Sequence, residues 1–221
     1  MSTRPVTPAR RRRRILRDTL LLAAVLAVLV LRMDFPVFTA RQALAATQAR
    51  YFFGPGEVIA ALDNPQEWDA GRFGPSDRYY ILRWGDWYAW CGISRSGPFW
   101  RTGSLGAVEN DPSLPLIPLV VDEYSYGSVL VVCNDPGIAR VELVFPVSSP
   151  ETDSGCTLLS ASGGQTAEGC FLIPYYIPSG SFLSSDALQV KGYDAAGALR
   201  YESPVPERWA GYGISVSGEV G

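Results

Sequence analysis

A chain of 221 residues without one histidine excludes Ser-His-Asp and Cys-His catalysis and the usual zinc sites. Its formal net charge of −3 hides a split: residues 1–32 carry eight arginines against a single acid, Asp18, leaving 11 basic and 21 acidic side chains beyond them, a net of about −10. That acidity excludes nucleic acid as a partner of the larger part, because phosphates demand basic patches.

Arg10 to Arg14 are five consecutive guanidiniums, and Thr19 to Leu31 follow without one charge. Positive flanks are retained on the cytoplasmic side. The pattern therefore predicts a basic cytoplasmic tail over 1–14, a single-pass transmembrane anchor over 15–35, and an extracytoplasmic remainder. The uncharged run is 13 residues, short of the roughly 20 that cross hydrocarbon. Ile15 to Asp18 and Arg32 to Phe35 supply the length if Arg17, Asp18 and Arg32 reach to the interfaces. The alternative is a cleaved signal peptide with Ala43-Leu44-Ala45 as its small-x-small site. Arg32, Asp34, Pro36 and Arg41 lie between that site and the apolar run, which favours the anchor.

Pro36 ends the first helix, and the alanines and glutamines of Val37 to Phe53 predict a second, stopped by Gly54-Pro55-Gly56. Glu57 to Leu62 reads as a further short helix, so that 36–62 forms a helical stalk. Asp63 to Asp77 is rich in Asp, Asn, Pro and Gly and reads as a loop.

The period then changes. Tyr79 to Trp84 and Trp87 to Ile93 are aromatic and β-branched runs separated by Gly85-Asp86, a two-residue hairpin connection. The register follows: Trp84 faces Trp87, Leu82 faces Ala89 and Tyr80 faces Cys91 on one side, with Ile81, Arg83, Tyr88 and Trp90 on the other. Phe99 to Arg101 reads as a third strand after the Ser96-Gly97-Pro98 turn. Further strands are expected at Leu119 to Asp122, Ser128 to Cys133, Ile138 to Phe145, Cys156 to Ser160 and Gly169 to Ile173. A closing hairpin of Leu188 to Tyr193 and Ala198 to Glu202 turns at Asp194-Ala195-Ala196-Gly197. Short strands at this spacing predict a mainly β domain over 63–203, an antiparallel sandwich or barrel, with a tail over 204–221. The segment Val190 to Glu202 resembles the closing hairpin of Ig-like extracellular sandwiches, which implies a sandwich and no particular ligand.

All four cysteines fall in the expected outer domain, where disulfides persist. Cys156 and Cys170 are equidistant from Gly163. If Gly163-Gly164 turns a hairpin, they face each other, and Cys91 is left with Cys133.

Chemistry without histidine reduces to carboxylates, Lys191 or oxygen-ligated metal. Glu109 with Asp111, or Asp122 with Glu123, is the type of pair a carboxylate hydrolase uses, and that is the alternative reading. Asp63, Asn64, Asp69 and Asp77 match no EF-hand spacing. Neither cofactor nor metal is predicted, and no residue is assigned a catalytic role. The stronger pattern is aromatic: Trp84, Trp87, Tyr88, Trp90, Phe99 and Trp100 fall within 17 residues. A two-layer sandwich buries only one face of a strand pair, yet both faces of this hairpin are aromatic. Either the Val37–Phe53 helix covers the second face, or Tyr88 and Trp90 are exposed to bind a protein partner or a cell-wall glycan. The sequence thus predicts a membrane-anchored, non-catalytic binding domain, or a structural subunit of a membrane assembly.

Overall fold

A computed structural model describes residues 8–32, 38–63, 78–120, 126–148, 156–177, 183–212 and 214. The chain is mainly β: the described residues form helices α1 (Pro8–Arg32), α2 (Ala40–Arg50) and α3 (Arg208–Gly211) and eleven strands in three antiparallel sheets. The first sheet is ordered β1-β2-β3-β4, from Glu57–Asp63, Arg78–Trp84, Trp87–Ser96 and Phe99–Glu109. The second is ordered β5-β6-β9, from Leu116–Val120, Tyr126–Cys133 and Cys170–Tyr176. The third is ordered β11-β10-β7-β8, from Leu199–Glu202, Gln189–Tyr193, Arg140–Ser148 and Cys156–Gly164.

The layers follow from alternation. In β6, Val129, Leu130, Val131 and Val132 are all essentially buried, the continuous apolar run of a strand covered on both faces. Val129 and Val131 point into a core with Val141, Leu143, Phe145, Phe171, Ile173 and Val190, between the second and third sheets. Leu130 points the other way, with Leu172 and Cys170, onto Tyr79, Ile81 and Trp90 of the first sheet. The second sheet is therefore the middle layer.

The outer face of the first sheet is covered by α2. Ala43, Leu44, Thr47 and Gln48 are the buried side of that helix. Ala43 and Leu44 pack on Tyr80, Leu82, Ala89 and Cys91. Thr39 caps the helix in a reciprocal box with Gln42. The buried polar side chains are satisfied: the Thr47 hydroxyl donates to the Ala43 carbonyl at 2.8 Å and accepts from Gly103 N–H at 3.2 Å, and Gln48 accepts from Gly56 N–H at 2.9 Å.

The β2–β3 hairpin has the expected register, Trp84↔Trp87, Leu82↔Ala89 and Tyr80↔Cys91. Two expectations are corrected and one is extended. Glu57 to Leu62 is not helix: β1 pairs antiparallel with β2, and Val58 and Ile59 suit an extended edge. The third strand continues to Glu109 despite Gly103 and Gly106, because β4 pairs with β3 along its length and packs under α2. Gly163-Gly164 is not a turn: it ends β8, opposite Val141 and Arg140 of β7.

In α1, every described side chain from Arg10 to Val28 is exposed. Among the described residues, no helix is long and apolar enough to cross a membrane. The uncharged stretch Thr19 to Leu31 rises only about 20 Å, against about 30 Å of hydrocarbon. Residues 33–35 of the expected span lie outside the described residues.

Candidate functional site

The two residues expected to form a contact surface are placed in or beside the core. Trp90 is 1% exposed and stacks on Tyr79 at 4.8 Å with rings 5° from parallel. Tyr88 is half-buried and packs against the same cluster. The physical reason is the second sheet, which covers one face of the hairpin while α2 covers the other, so Tyr79 and Trp90 on one side and Tyr80 on the other are buried as core.

The expected crosslinks are also absent. Cys91, Cys133 and Cys170 are free thiols, so neither Cys156–Cys170 nor Cys91–Cys133 is bridged. Cys156 begins β8 and Gly164 ends it, so the strand itself carries the chain about 25 Å away from Cys156 before the turn toward Cys170. Desolvation pushes the Cys91 and Cys170 thiols up to about 12. Cys133, whose thiol contacts the Asp135 carbonyl at 3.1 Å, is raised chiefly by burial.

The other residues singled out by type do not converge. Asp63 pairs with Arg78 at 2.6 Å and Lys191 with Glu202 at 2.9 Å. Glu109 and Asp111 are exposed. Asp111 is held below the usual carboxylate range by the Ser113 hydroxyl and N–H, the reverse of what a general acid needs. Asn64, Asp69, Asp77, Asp122 and Glu123 lie outside the described residues. Among the described residues, no group of three His, Cys, Asp or Glu side chains is placed to hold a metal ion.

Among the exposed large hydrophobic side chains of the β domain, one group lies at the turn end of the β2–β3 hairpin. Trp84 and Trp87 flank Gly85-Asp86 and are 47% and 40% exposed. Trp84 packs edge-on against Phe53 at 5.7 Å and lies across Gly54, where a Cβ would meet its ring at 2.4 Å. That contact brings the end of α2 to the hairpin tip and, with it, Tyr51 and Phe52. Val58 of β1, opposite Leu82, is a further exposed apolar side chain on this sheet.

Phe52 is the unusual member. It has φ +55°, the one non-glycine residue with positive φ among the described residues, and it is 92% exposed. The cause is local. Phe53 N–H donates to the Gln48 carbonyl at 3.0 Å and Phe52 N–H to the Ala49 carbonyl at 3.3 Å, the double bond pattern of a Schellman helix end. Position 52 is the left-handed residue of that motif, where glycine usually sits because a Cβ is disfavoured there. Burying Phe53 between α2 and the first sheet anchors the turn, and Phe52 is left projecting into solvent.

Acidic groups border the tryptophans. Asp86 is in the turn, Glu109 is opposite Trp87, and Asn110 N–H donates to the Asp86 carbonyl at 2.7 Å, bringing Asp111 alongside. Asn134 braces this tip to the sandwich through the Asn110 side chain at 3.0 Å and the carbonyls of Asp111 and Leu114 at 2.9 and 2.8 Å. Glu57, opposite Arg83, stands 3.6 Å from its guanidinium with both side chains largely exposed.

The tryptophans were legible as an aromatic cluster, but Phe52 was not, because nothing in a Tyr-Phe-Phe run signals a left-handed residue. Residues 36–212 match a family described as a domain of unknown function, DUF5044, a span that begins after α1. No curated protein and no solved structure matches the chain.

Proposed function

Because the chain belongs to the DUF5044 family, whose description names no activity, we propose a function from its own surface: a membrane-anchored, extracytoplasmic, non-catalytic domain that holds a protein partner at the hairpin tip. The observation that carries the reading is Phe52, an aromatic ring kept in solvent on a left-handed backbone position that glycine would occupy at less cost. Strain of this kind, in a residue that contributes little buried area, is explained by contact with something outside the chain. Trp84 and Trp87 supply the flanking aromatic area typical of interface anchors.

A protein suits this tip better than a glycan. Sugars stack on flat, open ring faces, whereas Trp84 is flanked by Gly54 and Phe53, and Phe52 projects as a knob. The border of Asp86, Glu109 and Asp111, on a region with a net charge of about −10, favours a partner whose pocket is rimmed by Lys or Arg.

Support for the anchor comes from α1. A helix whose apolar side chains are exposed all round is one that finds its partner in lipid. Ile15, Leu16, Leu20, Leu21, Leu22, Val25, Leu26 and Val28 are each about half exposed or more. Arg17 neutralises Asp18 at 3.0 Å. For the sandwich itself, the order β5-β6-β9 facing β11-β10-β7-β8 supports the Ig-like reading, with crossovers between the two sheets at β6–β7, β8–β9 and β9–β10.

The test is photo-crosslinking in the cells that make the protein, with benzoylphenylalanine at position 52. The expected result is an adduct with one protein, whose yield falls with rising salt and with Trp84→Ala/Trp87→Ala. No adduct, or the same adducts from a probe at the remote, exposed Leu199, would reject the reading.

A further inference from the structure

The arginines of α1 have an arrangement that retention on one side of a membrane does not require. Arg10, Arg13, Arg14 and Arg17 recur at i, i+3, i+4 and i+7, share one helix face and line a concave space of about 370 Å³. No acid stands in the first turn, and Asp18 is engaged by Arg17. Among the described residues, Arg10, Arg13 and Arg14 form no ion pair. Like charges at this spacing repel, and cations at the N-terminal end of a helix oppose its dipole. The face is therefore uncompensated within the described chain, and an anion relieves it.

Position decides which anion. The apolar side chains Ile15 and Leu16 follow within the same turn and Thr19 to Leu31 directly after, so the arginine face borders whatever covers the apolar run. The residue type is informative too. The segment uses arginine throughout, and a guanidinium holds two phosphate oxygens at once where an ammonium is a point charge.

We infer that Arg10, Arg13, Arg14 and Arg17 form a binding face for the phosphate groups of anionic phospholipids. The inference rests on the anchor reading above and explains how a short helix meets it. Thirteen uncharged residues rise about 20 Å, less than a relaxed bilayer requires. Guanidiniums that draw headgroup phosphates down to the level of Arg17 thin the bilayer locally, and the neutralised Arg17–Asp18 pair sits at that lowered boundary.

The test is co-flotation of the full chain with vesicles of phosphatidylcholine alone or mixed with phosphatidylglycerol. It compares the wild type with Arg10→Gln/Arg13→Gln/Arg14→Gln and with lysine at the same three positions; glutamine is close to arginine in helix propensity, so α1 is retained. The wild type is expected to float with both vesicles and to partition about tenfold or more toward the anionic ones. The glutamine variant is expected to lose the preference while still floating, and the lysine variant to keep only part of it. Equal partitioning of the wild type would overturn the lipid face and leave the anchor standing. Flotation with neither vesicle would overturn the anchor reading and this inference together. Loss of the preference in added inorganic phosphate, at constant ionic strength, would assign the face to a free anion instead.

Discussion

Tyr79 and Trp90 stack with their rings 4.8 Å apart and 5° from parallel, on adjacent strands and in the layer between the first and middle sheets. The pair explains why a hairpin can be aromatic on both faces without binding anything there. Replacing Trp90 by Ala removes the larger member from a site 1% exposed. A loss of about 3–5 kcal/mol is expected in urea unfolding. Trp87→Ala, at 40% exposure, is expected to cost less than about 1 kcal/mol. Equal losses at the two positions would mean that the tip is as much a part of the core as the stack.

Trp84 needs Gly54 beneath it. Gly54→Ala places a methyl group 2.4 Å from the indole, so the ring or the α2–β1 connection must shift. A loss of about 1–3 kcal/mol is expected, with a change in tryptophan emission as Trp84 is displaced. Unchanged emission would show that the ring does not rest where its packing on Gly54 puts it.

The thiols should react in order of burial. Cys133 is half-buried, whereas Cys91 and Cys170 are buried and pushed up to about 12, leaving almost no thiolate near neutral pH. Alkylation followed by peptide mass mapping is expected to mark Cys133 in the native protein and Cys91 and Cys170 only after unfolding. Recovery of a Cys156–Cys170 peptide under non-reducing conditions would contradict the fold around β8, and a Cys91–Cys133 peptide would contradict the placement of Cys91 under α2.

Acid should act partly through Asp135. Its carboxylate accepts from Gly137 N–H at 2.8 Å and from Arg200 at 3.0 Å, and these contacts hold it below the ordinary aspartate range. A depressed native pKa contributes stability above the unfolded value, near pH 4, that is lost as pH falls through the native one. Melting temperature is expected to drop below about pH 4, and Asp135→Asn is expected to flatten that drop. An identical acid profile for the variant would remove Asp135 from the explanation.

The hairpin was legible because Gly85-Asp86 and the flanking alternation fix turn and register locally, and the observed pairs match them. Glu57 to Leu62 was not, since a short apolar run is ambiguous between helix and strand and its partner, β2, settles it. The near-symmetry of Cys156 and Cys170 about Gly163 misled for a similar reason: β8 pairs backward with β7, and the chain reverses later, where Gly169 takes φ +66°. The burial of Trp90 and the packing of Tyr88 were not legible, because they depend on the middle sheet, some 40 residues further along the chain.

Unfolding of Phe52→Gly in urea tests, without knowledge of any partner, whether Phe52 is held in solvent for contact or for the fold. Glycine takes φ +55° without a Cβ penalty and gives up a ring that is 92% exposed. The expected result is a protein as stable as the wild type or more stable by about 1 kcal/mol. A loss of stability of that size or greater would show that the Phe52 ring supports the fold, and would contradict its assignment to a partner.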